Sequence, residues 1–244
     1  VSDTADFDGR RAVVTGGASG IGAAIATELR NAGADVVVLD IQAGADIQVD
    51  LAVRSSVEQA AADATQRLGG VDVLVNCAGM FTPSPLRGLQ MDSYDTTLAV
   101  NLHAPILLMR AFSEPMAQQG YGRIVNVTSV HARVSELLSL AYDVSKGGLE
   151  AATRTAALEL ADDGVLVNAV APGFVATNMS IVDGRDELQD EVFLDVYVGG
   201  GRLPLRRAAQ PVEVAKAVAF LASDLNTYIT GQSLVIDGGL TARF

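Results

Sequence analysis

RAVVTGGASGIGAAIATELR, residues 11–30, decides the fold. The run RAVVT (11–15) is apolar and rich in β-branched residues, with little polar alternation. Such a run suits a strand covered on both faces. Glycines follow at once, and then a helical stretch over 20–32. Similar apolar runs recur at ADVVVLD (34–40), VDVLVN (71–76), RIVNVT (123–128), GVLVNAV (164–170) and QSLVID (232–237), with a weaker one at IQV (47–49). Helical stretches fall between them at 55–68, 92–118, 142–163 and 211–222. Ser55 and Asp92 read as helix N-caps, and Pro211 suits a first helical position. Strands alternating with helices predict a single α/β domain, an open parallel sheet with right-handed crossovers.

Two regions break the rhythm. Only IQAGAD separates the second and third strand runs, too short for a crossover helix. The stretch 174–210 is long and contains Gly199, Gly200 and Gly201 in a row. It predicts a lid-like insertion near 178–205, with the glycines as a flexible joint.

Thr15 to Gly22 joins the first strand to the first helix. Its glycines, Gly16, Gly20 and Gly22, are spaced G-x3-G-x-G and not as the common G-x-G-x-x-G. Glycine lets a backbone turn tightly and approach a pyrophosphate closely. The helix start beyond it offers free N–H groups and a partial positive charge. Asp40 ends the second strand, where a carboxylate accepts hydrogen bonds from ribose hydroxyls and repels a 2′-phosphate. No Arg or Lys stands at 40–42, and the nearest downstream is Arg54. The expected cofactor is NAD(H), not NADP(H). A plain turn or capping role is the competing reading of Asp40.

The bulk numbers exclude several classes. Of 244 residues, 49% are hydrophobic and 19% charged, which is a globular chain and not a disordered one. The net charge of -12 provides no basic field for nucleic acid or an anionic membrane. No run of about 20 apolar residues suggests a membrane span, and VSDTADFDGRR has no apolar core of a signal peptide. Cys77 is the only cysteine, so no intrachain disulfide forms, which fits a reducing, cytoplasmic compartment. His103 and His131 are too few and too scattered for a metal site, and Cys77 reads as a small buried side chain.

Tyr142 and Lys146 stand four apart in YDVSK, on one face of a helix, downstream of Ser129. A free phenol, with a pKa of about 10, is a poor base at pH 7. An ion pair at about 4 Å gives about 1 kcal/mol in water but about 4 at an effective dielectric near 20. A partly desolvated cleft is therefore needed for Lys146 to ready Tyr142 for proton exchange. Ser129 would donate to the same substrate oxygen.

With TGGASGIG (15–22), VNCAG (75–79), Asn101 in VNLHAP, Ser129, YDVSK (142–146), NAVAPGFVAT (168–177) and VIDGG (235–239) in this order, the chain closely resembles the short-chain dehydrogenase/reductase family along nearly its whole length. The resemblance implies a Rossmann-type doubly wound parallel sheet of about seven strands and an NAD(H)-dependent exchange between a secondary alcohol and a ketone. It implies that Asn101 holds a water linking Lys146 to solvent, that Ser129 orients the substrate oxygen and that Tyr142 exchanges its proton. Lys146 would bond the nicotinamide ribose and depress the Tyr142 pKa. The dinucleotide would meet Gly16, Ser19, Gly20, Ile21, Gly22, Asp40, Asp50, Leu51, Asn76, Ala78, Gly79, Tyr142, Lys146, Pro172, Gly173, Val175 and Thr177. Structural readings stand beside these: Asn76 tying strands, Asn101 bonding backbone inside a helix, Pro172-Gly173 as a turn. A homotetramer is implied, with helices 92–118 and 142–163 at one interface.

The Tyr–Lys spacing points away from the family's enoyl reductases. Asp143 replaces the usual small residue after Tyr and changes the charge at the cleft mouth. The rival readings are a 3-oxoacyl thioester reductase and a catalytically idle dinucleotide-binding protein. Val130 to Leu140, Met80 to Pro85 and 178–205 are the expected pocket walls. Their Leu, Val, Met, Phe and Tyr suit a moderately apolar small molecule. Asp183, Asp186, Glu187, Asp190 and Glu191 disfavour a strongly anionic one, tempered by Arg185, Arg202, Arg206 and Arg207.

Overall fold

Backbone pairing draws strands from both halves of the chain into one seven-stranded parallel sheet. The structure, a computed structural model, describes residues 5–182 and 184–242. Asp183, one of the acids of the insertion, lies outside the described residues. The elements are β1 (Arg11–Thr15), α1 (Gly20–Asn31), β2 (Asp35–Asp40), β3 (Ile47–Gln48), α2 (Arg54–Leu68) and β4 (Val73–Asn76). Then come α3 (Met91–Leu98), α4 (Ala104–Gln119), β5 (Gly122–Val127), α5 (Leu140–Leu160), β6 (Val165–Pro172), β7 (Ile181–Val182), β8 (Arg185–Asp186), α6 (Pro211–Ala222) and β9 (Ser233–Ile236). The sheet order is β3-β2-β1-β4-β5-β6-β9, so the winding reverses between β1 and β4.

Successive strand residues point to opposite faces, and the two cores sort accordingly. Val14, Val36, Val38, Val73 and Val75 pack with Ile25 and Leu29 of α1 and Val214 and Val218 of α6. Val13, Val37, Leu39, Leu74 and Ile124 pack with Val57 of α2 and Leu108, Phe112 and Met116 of α4. Each such fully buried side chain stabilises by about 1.5–3 kcal/mol. At the amino edge of the sheet Asp72 accepts from Arg11 at 2.8 and 2.7 Å, clamping β1 to β4. The carboxyl edge is left for the loops.

Several expectations are corrected. The helix expected over 92–118 starts at Met91 and contains a π-helical turn, Ala99–His103, between α3 and α4. The caps are Gln90 and Val53, not Asp92 and Ser55, and neither makes a side-chain capping bond. Pro211 does begin α6, after Gln210, with Glu213 closing a capping box. The short link after β2 does leave β3 without a crossover helix, as a two-residue edge strand.

The insertion carries an apolar cluster of its own. Leu188, Phe193 and Leu203 are buried together, and Phe174, Phe193 and Tyr197 make mutual ring contacts at 4.8–5.4 Å. A π-helical turn, Phe193–Gly199, leads into the glycines, where Arg206 donates to the carbonyls of Val198 and Gly199. Among the described residues, no helix is long and apolar enough to cross a membrane.

Candidate active site

The loops after β1, β4, β5 and β6 converge at the carboxyl edge where the winding reverses, the usual place for a ligand crevice in open α/β sheets. Gly16 has φ +68°, and a Cβ there would lie 2.7 Å from the Ala78 Cα. A Cβ on Gly22 would run into the Gly16 carbonyl. Thr15 Oγ1 accepts from the N–H groups of both Cys77 and Ala78 at 3.0 Å, pinning the β4 loop to the glycine loop. Thr177 reaches the same place from β6: its Cγ2 would be 3.3 Å from a Cβ on Gly20. α1 starts at an extended Ser19 with no side-chain cap and no acidic residue in its first turn. A narrow glycine cradle on an uncapped helix start fits a pyrophosphate. Gly22→Ala should weaken dinucleotide binding at least tenfold, about 1.4 kcal/mol, by isothermal titration, with a lower melting temperature. Unchanged affinity would show that the loop does not hold the phosphates.

Asp40 is buried at the end of β2. Its Oδ2 accepts from Ala18 N–H and its Oδ1 from Gln42 N–H, both at 3.0 Å. The turn role is thus real, yet each carboxylate oxygen keeps a second lone pair for another donor. Asp50 lies beyond β3, where it accepts from Ala52 N–H and lines an open groove with Ser55, Ser56 and Gln59. Leu51 is buried in the core against α2, a core on which Ala78 of the β4 loop also packs. Pro172 closes β6, and Gly173 N–H donates to Ile236 carbonyl at 3.0 Å. Val175 pairs with Ala209.

Ser129 ends the segment after β5 and accepts from the backbone N–H of His131, whose ring meets the Tyr142 ring at 5.5 Å. Lys146 is 3% exposed and donates to the Val127 carbonyl at 2.9 Å, with Nζ 5.6 Å from the Tyr142 ring centroid. Burial pushes Tyr142 up to about 12; the Ser129 hydrogen bond opposes this, and Asp143 and Cys77 add to it. Burial brings Lys146 down to about 8. In this structure the phenol therefore sits above its ordinary value, opposite to the direction implied by the resemblance, because desolvation outweighs the stabilising hydrogen bond.

Asn101 lies in the π-helical turn and is fully buried. Its amide bonds Met80 N–H and carbonyl, both at 2.9 Å, and Ser145 Oγ at 3.2 Å. It braces the β4 loop against α5 and bonds backbone across the cleft, not inside its own helix. Gly79 lies over this brace: a Cβ there would be 3.5 Å from Lys146 Nζ and 3.6 Å from Asn101 Oδ1. Asn76 donates to Asn126 at 2.8 Å, tying β4 to β5 in register, and its Oδ1 has no partner among the described residues. Burial pushes the Cys77 thiol up to about 12, which disfavours its thiolate. Among the described residues, no group of three or more His, Cys, Asp or Glu could hold a metal.

Residues 16–241 match the family model described as enoyl-(acyl carrier protein) reductase. An acetoacetyl-CoA reductase of Allochromatium vinosum is 34% identical over 95% of this chain and 98% of its own. A cis-4-hydroxycyclohexanecarboxylate dehydrogenase of Sinomonas cyclohexanicum is 37% identical over 97% and 98%. The chain belongs to the short-chain dehydrogenase/reductase family. A family structure, a gluconate 5-dehydrogenase from Burkholderia cenocepacia in complex with NADP and tartrate, superposes with a TM-score of 0.88 at 30% identity, over 98% of both chains. Like its dehydrogenase and reductase relatives, this family member is an oxidoreductase using a nicotinamide dinucleotide.

The sequence does not present two side chains near Tyr142 as a unit. His131 Nδ1 lies 2.7 Å from Asp143 Oδ1. The His131 ring meets Tyr142 edge-on at 5.5 Å. A signal for the pair exists: they follow Ser129 by two and Tyr142 by one, and residues beside two meeting side chains are themselves close.

Proposed function

We propose that this enzyme interconverts a secondary alcohol and a ketone with NAD(H), with Tyr142 as general acid and base. The observation that carries the reading is Lys146, buried one turn along α5 from Tyr142 with its Nζ 5.6 Å from the phenol ring, in the crevice that Gly79 and Asn101 share. The glycine loop, Asn76, Ala78, Gly79, Pro172, Gly173, Val175 and Thr177 would hold the dinucleotide, with Asp40 at its ribose and Asp50 and Leu51 on the adenine side. When bound, the oxidised nicotinamide accepts hydride and brings a positive charge. In oxidation Tyr142, as phenolate, takes the carbinol proton while Ser129 donates to the same oxygen. Lys146 passes charge toward solvent through a water at Asn101. The Asn101 side chain itself bonds Met80 and Ser145. The segment 178–205 closes over the substrate as a lid, and the enzyme works as a homotetramer through α3, α4 and α5, in a reducing cytoplasm.

The choice of NAD(H) rests on Asp40 and on the distance of the nearest downstream cation, Arg54, which is exposed and 3.9 Å from Glu58. The fold does not choose, since the Burkholderia relative carries NADP. Purified enzyme should be screened for NAD+ and NADP+ reduction over secondary alcohols, polyols, steroids and hydroxyacyl thioesters. NAD+ should be preferred in kcat/KM by about a hundredfold, or about 3 kcal/mol. Equal or better turnover with NADP+ would refute the cofactor assignment. A second reading, reduction of a 3-oxoacyl thioester, draws on the 34% identical acetoacetyl-CoA reductase. Activity confined to the thioesters in that screen would favour it. The spacing of Tyr142 and Lys146 speaks against enoyl reduction, the activity in the matched family's description.

A further inference from the structure

The cleft holds a second polar unit pressed against Tyr142. His131 Nδ1 is 2.7 Å from Asp143 Oδ1, and the His131 N–H donates to Ser129 Oγ at 3.2 Å. The imidazole stands edge-on to the phenol, with centroids 5.5 Å apart and planes at 78°. Phe81 makes a similar contact at 5.7 Å and 80°. The His131 and Asp143 side chains are only 22% and 15% exposed, so their interaction is less screened than that of a surface pair. The ring of Tyr142 is thus fixed by contacts that its own reaction does not require.

We propose that His131 and Asp143 form a positioning unit for Tyr142, His131 holding the phenol ring and the Asp143 charge setting the pH at which the phenol ionises. The inference rests on the proposed role of Tyr142. A negative charge beside a phenol disfavours the phenolate, and Asp143, next to Tyr142 in the chain, has its carboxylate 2.7 Å from the imidazole that meets the phenol ring; the direction of its effect on Tyr142 agrees. The other titratable groups facing the phenol are Lys146 from α5 and Cys77 from the β4 loop. Glu136, from the loop before α5, faces His131 instead, 3.9 Å from its Nε2. His131 ties Asp143 down, so the charge stays beside the phenol.

The test needs no substrate. The chain has five tyrosines, so protein grown with 3-fluorotyrosine gives five 19F NMR signals. Tyr142→Phe identifies one, and the largely buried Tyr121 reports that the fold is intact. Ring fluorination lowers every phenol midpoint, so the transition is followed at a lower pH. Asp143→Asn should move the Tyr142 midpoint down by about one pH unit, the order expected from a neighbouring unit charge across a partly desolvated gap. His131→Ala should shift and broaden the Tyr142 signal as the ring gains freedom. Should His131→Ala disturb the Tyr121 signal, His131→Asn, which keeps a donor for Asp143, takes its place with the same expectation for the ring. A midpoint in Asp143→Asn equal to or above that of the parent overturns the proposal. So does a Tyr142 signal unchanged by loss of the imidazole. If instead Tyr142→Phe retains full alcohol turnover, the functional reading fails, whatever the NMR midpoints show.

Discussion

Lys146→Met should give a protein more stable than the parent at pH 7 and without measurable turnover. Lys146 is 3% exposed and spends a hydrogen bond on the Val127 carbonyl. Burial lowers its pKa from 10.5 to about 8. A group whose folded pKa is depressed contributes stability above its unfolded value, and this is lost as pH falls through the folded one. Here the window runs from about 10.5 down to about 8. At pH 7 the loss is complete, and the buried ammonium costs about 3 kcal/mol. Methionine fills similar volume without a charge, but leaves the Val127 carbonyl unpaired, at about 1–2 kcal/mol. A net gain of about 1–2 kcal/mol follows, or about 2–8 °C in melting temperature for a chain of this size. The gain should shrink steadily between pH 8 and pH 10.5, where the parent lysine loses its proton when folded. Thermal melts of both proteins across that range decide the matter. A variant less stable than the parent at pH 7 would sink the argument.

A lysine kept where it destabilises the fold has a reason outside folding. The same crevice raises the Tyr142 phenol and lowers the Lys146 ammonium, and burial is the first cause of both. Desolvation favours the neutral form of each, so the two groups are poised to share rather than to separate charge. A positively charged ligand entering the crevice shifts that balance toward the phenolate. Asp143 shifts it back. For the proposed alcohol oxidation, the pH dependence would be the sum of these opposing charges.

The sheet is legible because its strands are buried on both faces. Val13 and Val37 face one core while Val14 and Val38 face the other, so an unbroken apolar run announces each strand. The π-helical turn at Ala99–His103 is hidden, since its apolar residues continue the pattern of the helices on either side. Ser55 and Asp92 look like caps by residue type, but capping depends on where the backbone turns, and in both helices it turns two residues earlier. The position of Asp40 is readable; its two backbone amide donors are not, because they depend on the path of the turn. For Asn101 the residue is legible and its bonding is not. Its partner Met80 lies on another loop, and only the folded crevice brings the two together. His131 reads as isolated in the sequence, although its neighbour Ser129 is already expected against Tyr142.

Tyr142→Phe should cut the chemical step by about 10²–10⁴-fold, the usual worth of a positioned acid or base, and leave dinucleotide affinity close to that of the parent. The substitution removes one oxygen and keeps the ring. The edge-on contacts with Phe81 and His131 are made by the ring, so the substituted side chain stays in place. Ser129 keeps the backbone N–H of His131 on its oxygen. Steady-state rates and calorimetric binding of NADH, measured on one preparation, separate a lost proton acceptor from a collapsed crevice. Residual oxidation should also lose its rise with pH, because the group that titrates has gone. Stability provides an independent check. The folded phenol ionises near 12 and the unfolded one near 10, so the parent loses stability as pH climbs through that window. Phenylalanine removes this dependence, and the variant's stability should fall less steeply above pH 10. Near-parental turnover in Tyr142→Phe would move the proton transfer to another group.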